Sequence, residues 1–203
     1  MQLLNSYMYF KSALTDQQCD EIIKAGESEM DLILKHGGST SAETLYGKTS
    51  SQRDTDVSWL NQTKIYELLH PFMHEANSVS GWNFEWDHSE SMQYTKYGNK
   101  QFYGWHADSD VKPYPLDFHP NIAGKIRKLS MTVNLSNEAE YKGGNLKFDF
   151  GPHYAGKRHQ TCKEIRPRGS IVVFPSHIYH QITPITSGTR RSLVMWSVGP
   201  PFR

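Results

Sequence analysis

His106 and Asp108 stand two residues apart in the run Gln101-Phe102-Tyr103-Gly104-Trp105-His106-Ala107-Asp108. Residues two apart in an extended segment point to the same face, so a single metal ion can take both. His180 lies beyond the apolar run Ile171-Val172-Val173-Phe174-Pro175, and Arg190 comes ten residues after it. Two imidazoles and one carboxylate can form the facial triad that holds non-haem Fe(II) and leaves positions open for other ligands. A basic residue beyond the second histidine suits a carboxylate-bearing co-substrate beside that metal, because the guanidinium fork binds a carboxylate through two N–H groups. His-x-Asp alone occurs by chance in many chains. Its weight here comes from His180 and Arg190, which flank neighbouring β-type runs.

Groups so far apart in sequence meet only if the chain folds into adjacent strands. From Trp82 onward, short β-type runs alternate with Gly, Pro and Asn punctuation, at 82–87, 90–97, 102–106, 128–136, 144–150, 163–166, 170–174, 178–183 and 189–198. Many short strands between turn signals predict an antiparallel sandwich or barrel. Residues 4–12 read as an edge strand and 37–56 as a long polar loop. Thr15 reads as a helix N-cap with Gln18 as its capping-box partner, opening a helix to about Leu34. A second helix over about 61–79 carries Ile65, Leu69, Met73 and Ala76 at helical spacing, and Pro71 is predicted to kink or divide it. Both helices read as packing supports. Residues 109–127 hold three prolines and no clear period. A loop of that length beside candidate ligands predicts a lid that is open or poorly ordered until substrate arrives.

At 203 residues, with 37% hydrophobic and 12% aromatic side chains, the chain is long and apolar enough for one globular domain with a real core. A net charge of +1 gives no electrostatic case for binding nucleic acid or an anionic membrane. Cys19 and Cys162 are too few for a disulfide framework and wrongly spaced for structural zinc, which fits reduced thiols in a cytosolic-type compartment. The start Met1-Gln2-Leu3-Leu4-Asn5 carries no signal-peptide pattern, and no run approaches the length of a membrane span. A cytoplasmic protein is therefore expected.

The stretch from about Glu90 to Pro200 resembles the catalytic domain of the 2-oxoglutarate- and Fe(II)-dependent dioxygenases. Within these it is most similar to the prolyl 4-hydroxylase-like group, with its small bacterial and phage PKHD-type members. The likeness runs through Gln93-Tyr94-Thr95-Lys96-Tyr97, Tyr103 to Asp108, Leu129 to Ser136, and Tyr141-Lys142-Gly143-Gly144-Asn145-Leu146. It continues through Gly169 to Pro175, His180 to Ile185, and Gly188-Thr189-Arg190-Arg191-Ser192. It covers over half of the chain, in family order and spacing.

The resemblance implies a mainly β fold with supporting α-helices. That fold is a double-stranded β-helix of the jelly-roll or cupin kind, with N-terminal helices packed on one sheet. A single dioxygenase domain over 1–203 would comprise a helical support region, 1–81, and a catalytic core, 82–203. His106, Asp108 and His180 would be the iron ligands and catalytic centre. Arg190 matches the residue that pairs with the distal carboxylate of 2-oxoglutarate. Tyr97, nine residues before His106, matches a co-substrate tyrosine. Trp196, six residues beyond Arg190, and Asn134 are further co-substrate candidates, with Thr132 beside them. Asn134 sits where some animal relatives carry a tyrosine. Arg191 is expected on the surface. Tyr103, Trp105 and Tyr114 are the substrate-binding candidates at the barrel mouth.

The implied reaction uses Fe(II), O2 and 2-oxoglutarate, with ascorbate as reductant, and releases succinate and CO2. Related halogenases lack the carboxylate ligand, so Asp108 argues for hydroxylation. Related nucleic-acid demethylases usually carry a second Arg where this chain has Trp196. A proline-containing peptide or protein suits the aromatic mouth and its cover. Hydroxylation of a free amino acid or other small molecule, and a non-catalytic β-barrel binding or sensing module, stay open on the sequence. So does the oligomeric state.

Overall fold

The computed structural model describes residues 5–42, 51–109, 112–152 and 156–202. The strands are β1 (Met8–Phe10), β2 (Arg53–Asp54), β3 (Asp56–Leu60), β4 (His88–Ser89), β5 (Met92–Tyr97), β6 (Phe102–His106) and β7 (Ile126–Asn134). They continue with β8 (Tyr141–Gly143), β9 (Leu146–Asp149), β10 (His159–Thr161), β11 (Ile171–Pro175), β12 (Tyr179–Ile182), β13 (Ile185–Gly188) and β14 (Arg190–Gly199). Helix α1 is Asp16–Lys35 and α2 is Thr63–Val79. A large sheet has the order β1-β11-β7-β14-β5-β3, with β4 also on β14. A smaller sheet has the order β10-β9-β12-β6-β2, and β13-β8 form a ribbon.

Period-two patterning assigns each face of the large sheet its job. Leu129, Met131 and Val133 of β7, Met92 and Tyr94 of β5, and Leu193 and Met195 of β14 share a core with α1 and α2 residues such as Ile22, Leu69 and Met73. Each such side chain stabilises the fold by roughly 1.5–3 kcal/mol when fully buried. The alternate residues, among them Thr95, Tyr97, Thr132, Arg190 and Ser192, line a cavity under the smaller sheet. A second core of Leu146, Phe148, Val172, Phe174 and Ile182 joins the two sheets. Strand β11 contributes to both cores, Ile171 and Val173 to one and Val172 and Phe174 to the other, which explains its unbroken apolar run.

Helix α1 begins as its sequence predicts. Gln18 N–H donates to Thr15 Oγ1 at 3.2 Å and Thr15 N–H donates to Gln18 Oε1 at 2.8 Å. Such a cap contributes about 1 kcal/mol. Inside the helix, a Cβ at Gly26 would collide with the Tyr94 ring, so only glycine allows this close approach to the sheet. Helix α2 runs undivided through Pro71.

Several element assignments differ from the sequence reading. Residues 53–60, placed there in a loop and its exit, form β2 and β3, which pair with β6 and β5. The remainder of the expected loop at 43–50 lies outside the described residues. Residues 82–87 and 163–166 are not strands, whereas 141–143, 159–161 and 185–188 are. The expected lid has its own order. Tyr114 N–H donates to Lys125 O at 2.9 Å and Gly124 N–H returns to Tyr114 O at 3.0 Å. Its residues 110–111 lie outside the described residues. Among the described residues, no helix is long and apolar enough to cross a membrane.

Candidate metal centre and its cavity

His106 closes β6 and His180 lies on β12, and the two face each other directly in register. Asp108 follows β6, its backbone N–H held by Ser176 O at 3.0 Å. His106 Nε2 lies 3.6 Å from Asp108 Oδ1, and His180 Nε2 lies 3.6 Å from Asp108 Oδ2. One ligand atom from each of the three falls within 4.8 Å of the others. One cation with ligand distances of about 2.0–2.2 Å can bridge such a set.

Backbone geometry fixes both rings. His106 Nδ1 lies 2.8 Å from Gly104 O, and His180 Nδ1 lies 3.0 Å from Ile178 O. A carbonyl only accepts, so each contact assigns the hydrogen to Nδ1 and turns the Nε2 lone pair toward the shared point. Ser130 Oγ–H donates to Asp108 Oδ2 at 2.7 Å and orients the carboxylate. Burial would raise the Asp108 carboxyl, but the two histidines and Arg127 outweigh it and hold it well below the usual carboxylate range. Burial pushes His180 down to about 4, against the pull of Asp108. At neutral pH the site therefore offers a carboxylate and an unprotonated imidazole, the forms that bind metal.

Strand β6 carries one extra residue opposite β12. His180 pairs with His106 and Ile182 with Tyr103, two steps on one strand against three on the other. This bulge puts Tyr103 and His106 on one face, where their rings stack with centroids 3.5 Å apart and planes 12° apart.

A small cavity lies behind the triad. Leu146, Phe174 and Ile182 give it an apolar wall. Arg190, 2% exposed, enters from β14 opposite Tyr97 of β5. Its Nη1 donates to Ser192 Oγ at 3.2 Å, while its Nη2 is buried with no partner. Its guanidinium carbon sits 5.5 Å from the Tyr97 ring centroid. Burial raises the Tyr97 phenol, against the charges of Arg53 and Arg190, so its hydroxyl stays a donor. Trp196 also lines the cavity, its indole N–H without a partner and its ring 4.0 Å from the Arg127 guanidinium carbon.

The geometry thus brings together His106, Asp108, His180, Tyr97, Tyr103, Thr132, Arg190 and Trp196. It does not bring in Asn134. That residue shares the face of Thr132 and pairs with Ser192, but its amide donates to Ser136 O and Arg166 O and is not part of the cavity lining. Trp105 points to the other side of the smaller sheet, beside His159 and Tyr179. Tyr114 borders Asp108 in a neighbouring groove and donates its hydroxyl to Glu90 at 2.9 Å. Arg191 is half-buried against α1, donating to Glu27 Oε1 at 3.0 Å, and is not a free surface residue.

The sequence reading missed Ser130, Arg53, and the Arg127–Glu90 pair that closes at 2.6 Å beside Asp108. Ser130 had a signal. It alternates with Thr132 and Asn134 against three apolar residues, which marks an inward polar face on a buried strand.

The donor set fits Fe(II), since two imidazole nitrogens and one carboxylate on one side leave the other side open. The unpartnered Arg190 N–H groups fit a carboxylate. Fold and triad together outline a candidate centre for a single metal ion between two facing antiparallel sheets. The 2OG-Fe(II) oxygenase superfamily matches residues 92–198, just over half of the chain, and the chain belongs to that family.

A PKHD-type hydroxylase of Alteromonas mediterranea is 31% identical over 104 residues, covering 51% of this chain and 41% of that relative. The match therefore spans about two fifths of the relative's length. The viral collagen prolyl hydroxylase of Paramecium bursaria Chlorella virus-1, solved with 2OG, superposes with a TM-score of 0.63 at 19% identity, covering 96% of this chain and 97% of that one. A Trichoplax adhaerens prolyl hydroxylase, solved with a hypoxia inducible factor peptide fragment, gives 0.66 at 14% identity, covering 95% and 83%. These likenesses show the fold, a double-stranded β-helix with helices against one sheet.

Proposed function

We propose that this chain is an Fe(II)- and 2-oxoglutarate-dependent dioxygenase that hydroxylates a proline in a peptide or protein, releasing succinate and CO2. One observation carries the reading. A single cavity joins the convergent donor set of His106, Asp108 and His180 to Arg190, whose Nη2 is buried without a partner.

His106, Asp108 and His180 would hold Fe(II), which when bound supplies O2 activation coupled to decarboxylation of the 2-oxo acid. Arg190 takes the distal carboxylate of 2-oxoglutarate, and the Tyr97 hydroxyl donates to it. The Gly104 and Ile178 carbonyls keep both imidazoles aimed, and Ser130 keeps the carboxylate aimed. Leu146, Phe174 and Ile182 exclude water from the reacting end. Ascorbate serves as the reductant that keeps the metal ferrous.

A peptide substrate is supported by the groove beside Asp108, which Tyr114 lines, and by the stacked Tyr114–Phe118 pair at its rim. Leu116 at the loop tip is 85% exposed, an apolar contact in search of a cover. The peptide bound to the Trichoplax neighbour supports the same class of substrate.

The test is mass spectrometry of a proline-containing peptide library incubated with the protein, Fe(II), 2-oxoglutarate and ascorbate. A gain of one oxygen with matching succinate is expected. Equal efficiency on free proline would replace the peptide by a small molecule. Iron bound without succinate from any substrate would favour a binding module.

A further inference from the structure

The cavity holds a second guanidinium, and it comes from outside the stretch that the family match covers. Arg53 lies on β2, is 5% exposed, and pairs in register with Tyr103. Its guanidinium carbon sits 4.4 Å from the Tyr103 ring centroid, and Tyr103 stacks in turn on the ligand His106. Its Nη2 donates to Gln93 Oε1 at 2.7 Å, so the side chain spans from the smaller sheet to the larger.

Arg53 and Arg190 address different ends of the same space. Gln93, which Arg53 reaches, pairs with Val194, while Arg190 pairs with Tyr97, four residues further along β5. Four strand residues separate their anchors by roughly 13 Å. Arg190 thus belongs to the closed end and Arg53 to the metal end. Asp108, the single acidic residue in the described cavity lining, faces the two histidines.

We infer that Arg53 is a second co-substrate-binding residue, contacting the carboxylate at the metal end of the 2-oxo acid while Arg190 holds the distal one. The inference rests on the proposed 2-oxoglutarate chemistry. His106, Asp108 and His180 would hold the metal that takes the 2-oxo end, and the Tyr103–Arg53 stack on His106 would put a cation within reach of the carboxylate there. Arginine is suited to the position because its planar fork can stack on an aromatic face and donate along its edge at once. Two cations, one toward each end of the cavity, also match the two negative charges of the ligand.

The experiment is calorimetric titration of the Mn(II)-loaded protein without oxygen, using 2-oxoglutarate and 2-oxobutyrate, which lacks the distal carboxylate. Arg53→Met is expected to weaken both ligands at least ~10-fold, the loss of one charge-assisted contact. Arg190→Met is expected to weaken 2-oxoglutarate by a similar factor and to leave 2-oxobutyrate nearly unchanged. Both ligands bound normally by Arg53→Met, with 2-oxoglutarate still lost in Arg190→Met, overturns the inference and leaves the proposed function standing. A wild-type protein that binds neither ligand overturns both. If Arg53→Met lowers the melting temperature, Arg53→Lys carries the test. It keeps the charge but not the fork, and intermediate weakening of both ligands is then expected; wild-type affinity for both overturns the fork contact.

Discussion

The two faces of the large sheet treat charge in opposite ways, and the neighbours Arg190 and Arg191 show it within two residues. On the helix side, Glu27 of α1 receives Lys96 Nζ at 2.9 Å, Arg191 Nε at 3.0 Å and the Tyr94 hydroxyl at 3.0 Å. Every partner there is protein, and the cluster ties α1 to β5 and β14. On the cavity side, Arg190 Nη2 and the Trp196 indole N–H are buried without a protein partner. Burying a donor unmatched costs roughly 1–3 kcal/mol. One face therefore spends its polar groups on stability, and the other keeps them for something that arrives. Buried position alone would not have distinguished these roles.

The comparison can be broken most sharply at the metal. Asp108→Ala should reduce turnover more than ~100-fold, since losing even an outer-shell partner of a metal ligand typically costs 10–100-fold. Circular dichroism should show the fold retained. A normally active variant would remove Asp108 from the centre. The next test swaps the faces. Arg190→Met should raise the 2-oxoglutarate dissociation constant at least ~10-fold with little change in melting temperature. Arg191→Met should do the reverse, costing about 1 kcal/mol of stability while leaving co-substrate affinity intact. Equal binding losses from both would show that strand parity does not separate the roles.

On the helix side alone, Gly26→Ala should cost roughly 1–3 kcal/mol through overpacking against Tyr94, measured by denaturant unfolding, with co-substrate binding unchanged. The smallest effect concerns acid. Burial raises the Glu27 carboxyl, but hydrogen bonds from Lys96, Arg191 and Tyr94 outweigh it and hold it below its ordinary value of 4.5. Its contribution to stability is thus present above that value and is lost as pH falls through the lower folded-state value. Glu27→Gln should cost about 1 kcal/mol at neutral pH and flatten part of the acid limb of the stability curve. An unaltered acid limb would mean that other carboxylates govern it.

The triad was legible because its chemistry depends on residue type and on local parity. His106 and Asp108 needed only to sit two apart, and His180 and Arg190 needed only to flank adjacent strands. Tyr97 followed from the family resemblance, and Trp196 from parity with Arg190. Trp105 did not, because simple alternation places it with Tyr103, and the bulge in β6 separates them. Asn134 was read onto the correct face, but its amide is taken up by the Ser136 and Arg166 carbonyls and does not line the cavity. Arg53 was hidden for a different reason. A two-residue strand inside a polar stretch carries no periodic signal, and only its pairing with β6 brings it inside. Arg191 looked like a surface residue because a charge on the outer face of a sheet is usually solvated, and nothing local announced Glu27, 164 residues away.

The bulge in β6 has a genetic consequence. Tyr103 and His106, three residues apart, share a face only through one supernumerary residue, which sets the path of the backbone just before the candidate metal ligand. A codon deletion at Gly104 or Trp105 would remove the bulge and leave Tyr103 and the imidazole two residues apart, on one face by regular pairing with β12. It would also remove or displace the carbonyl that fixes the ring's tautomer. Missense changes at Trp105, which faces the other side of the sheet, leave that path untouched. This short segment should therefore tolerate change in its letters far better than change in its length.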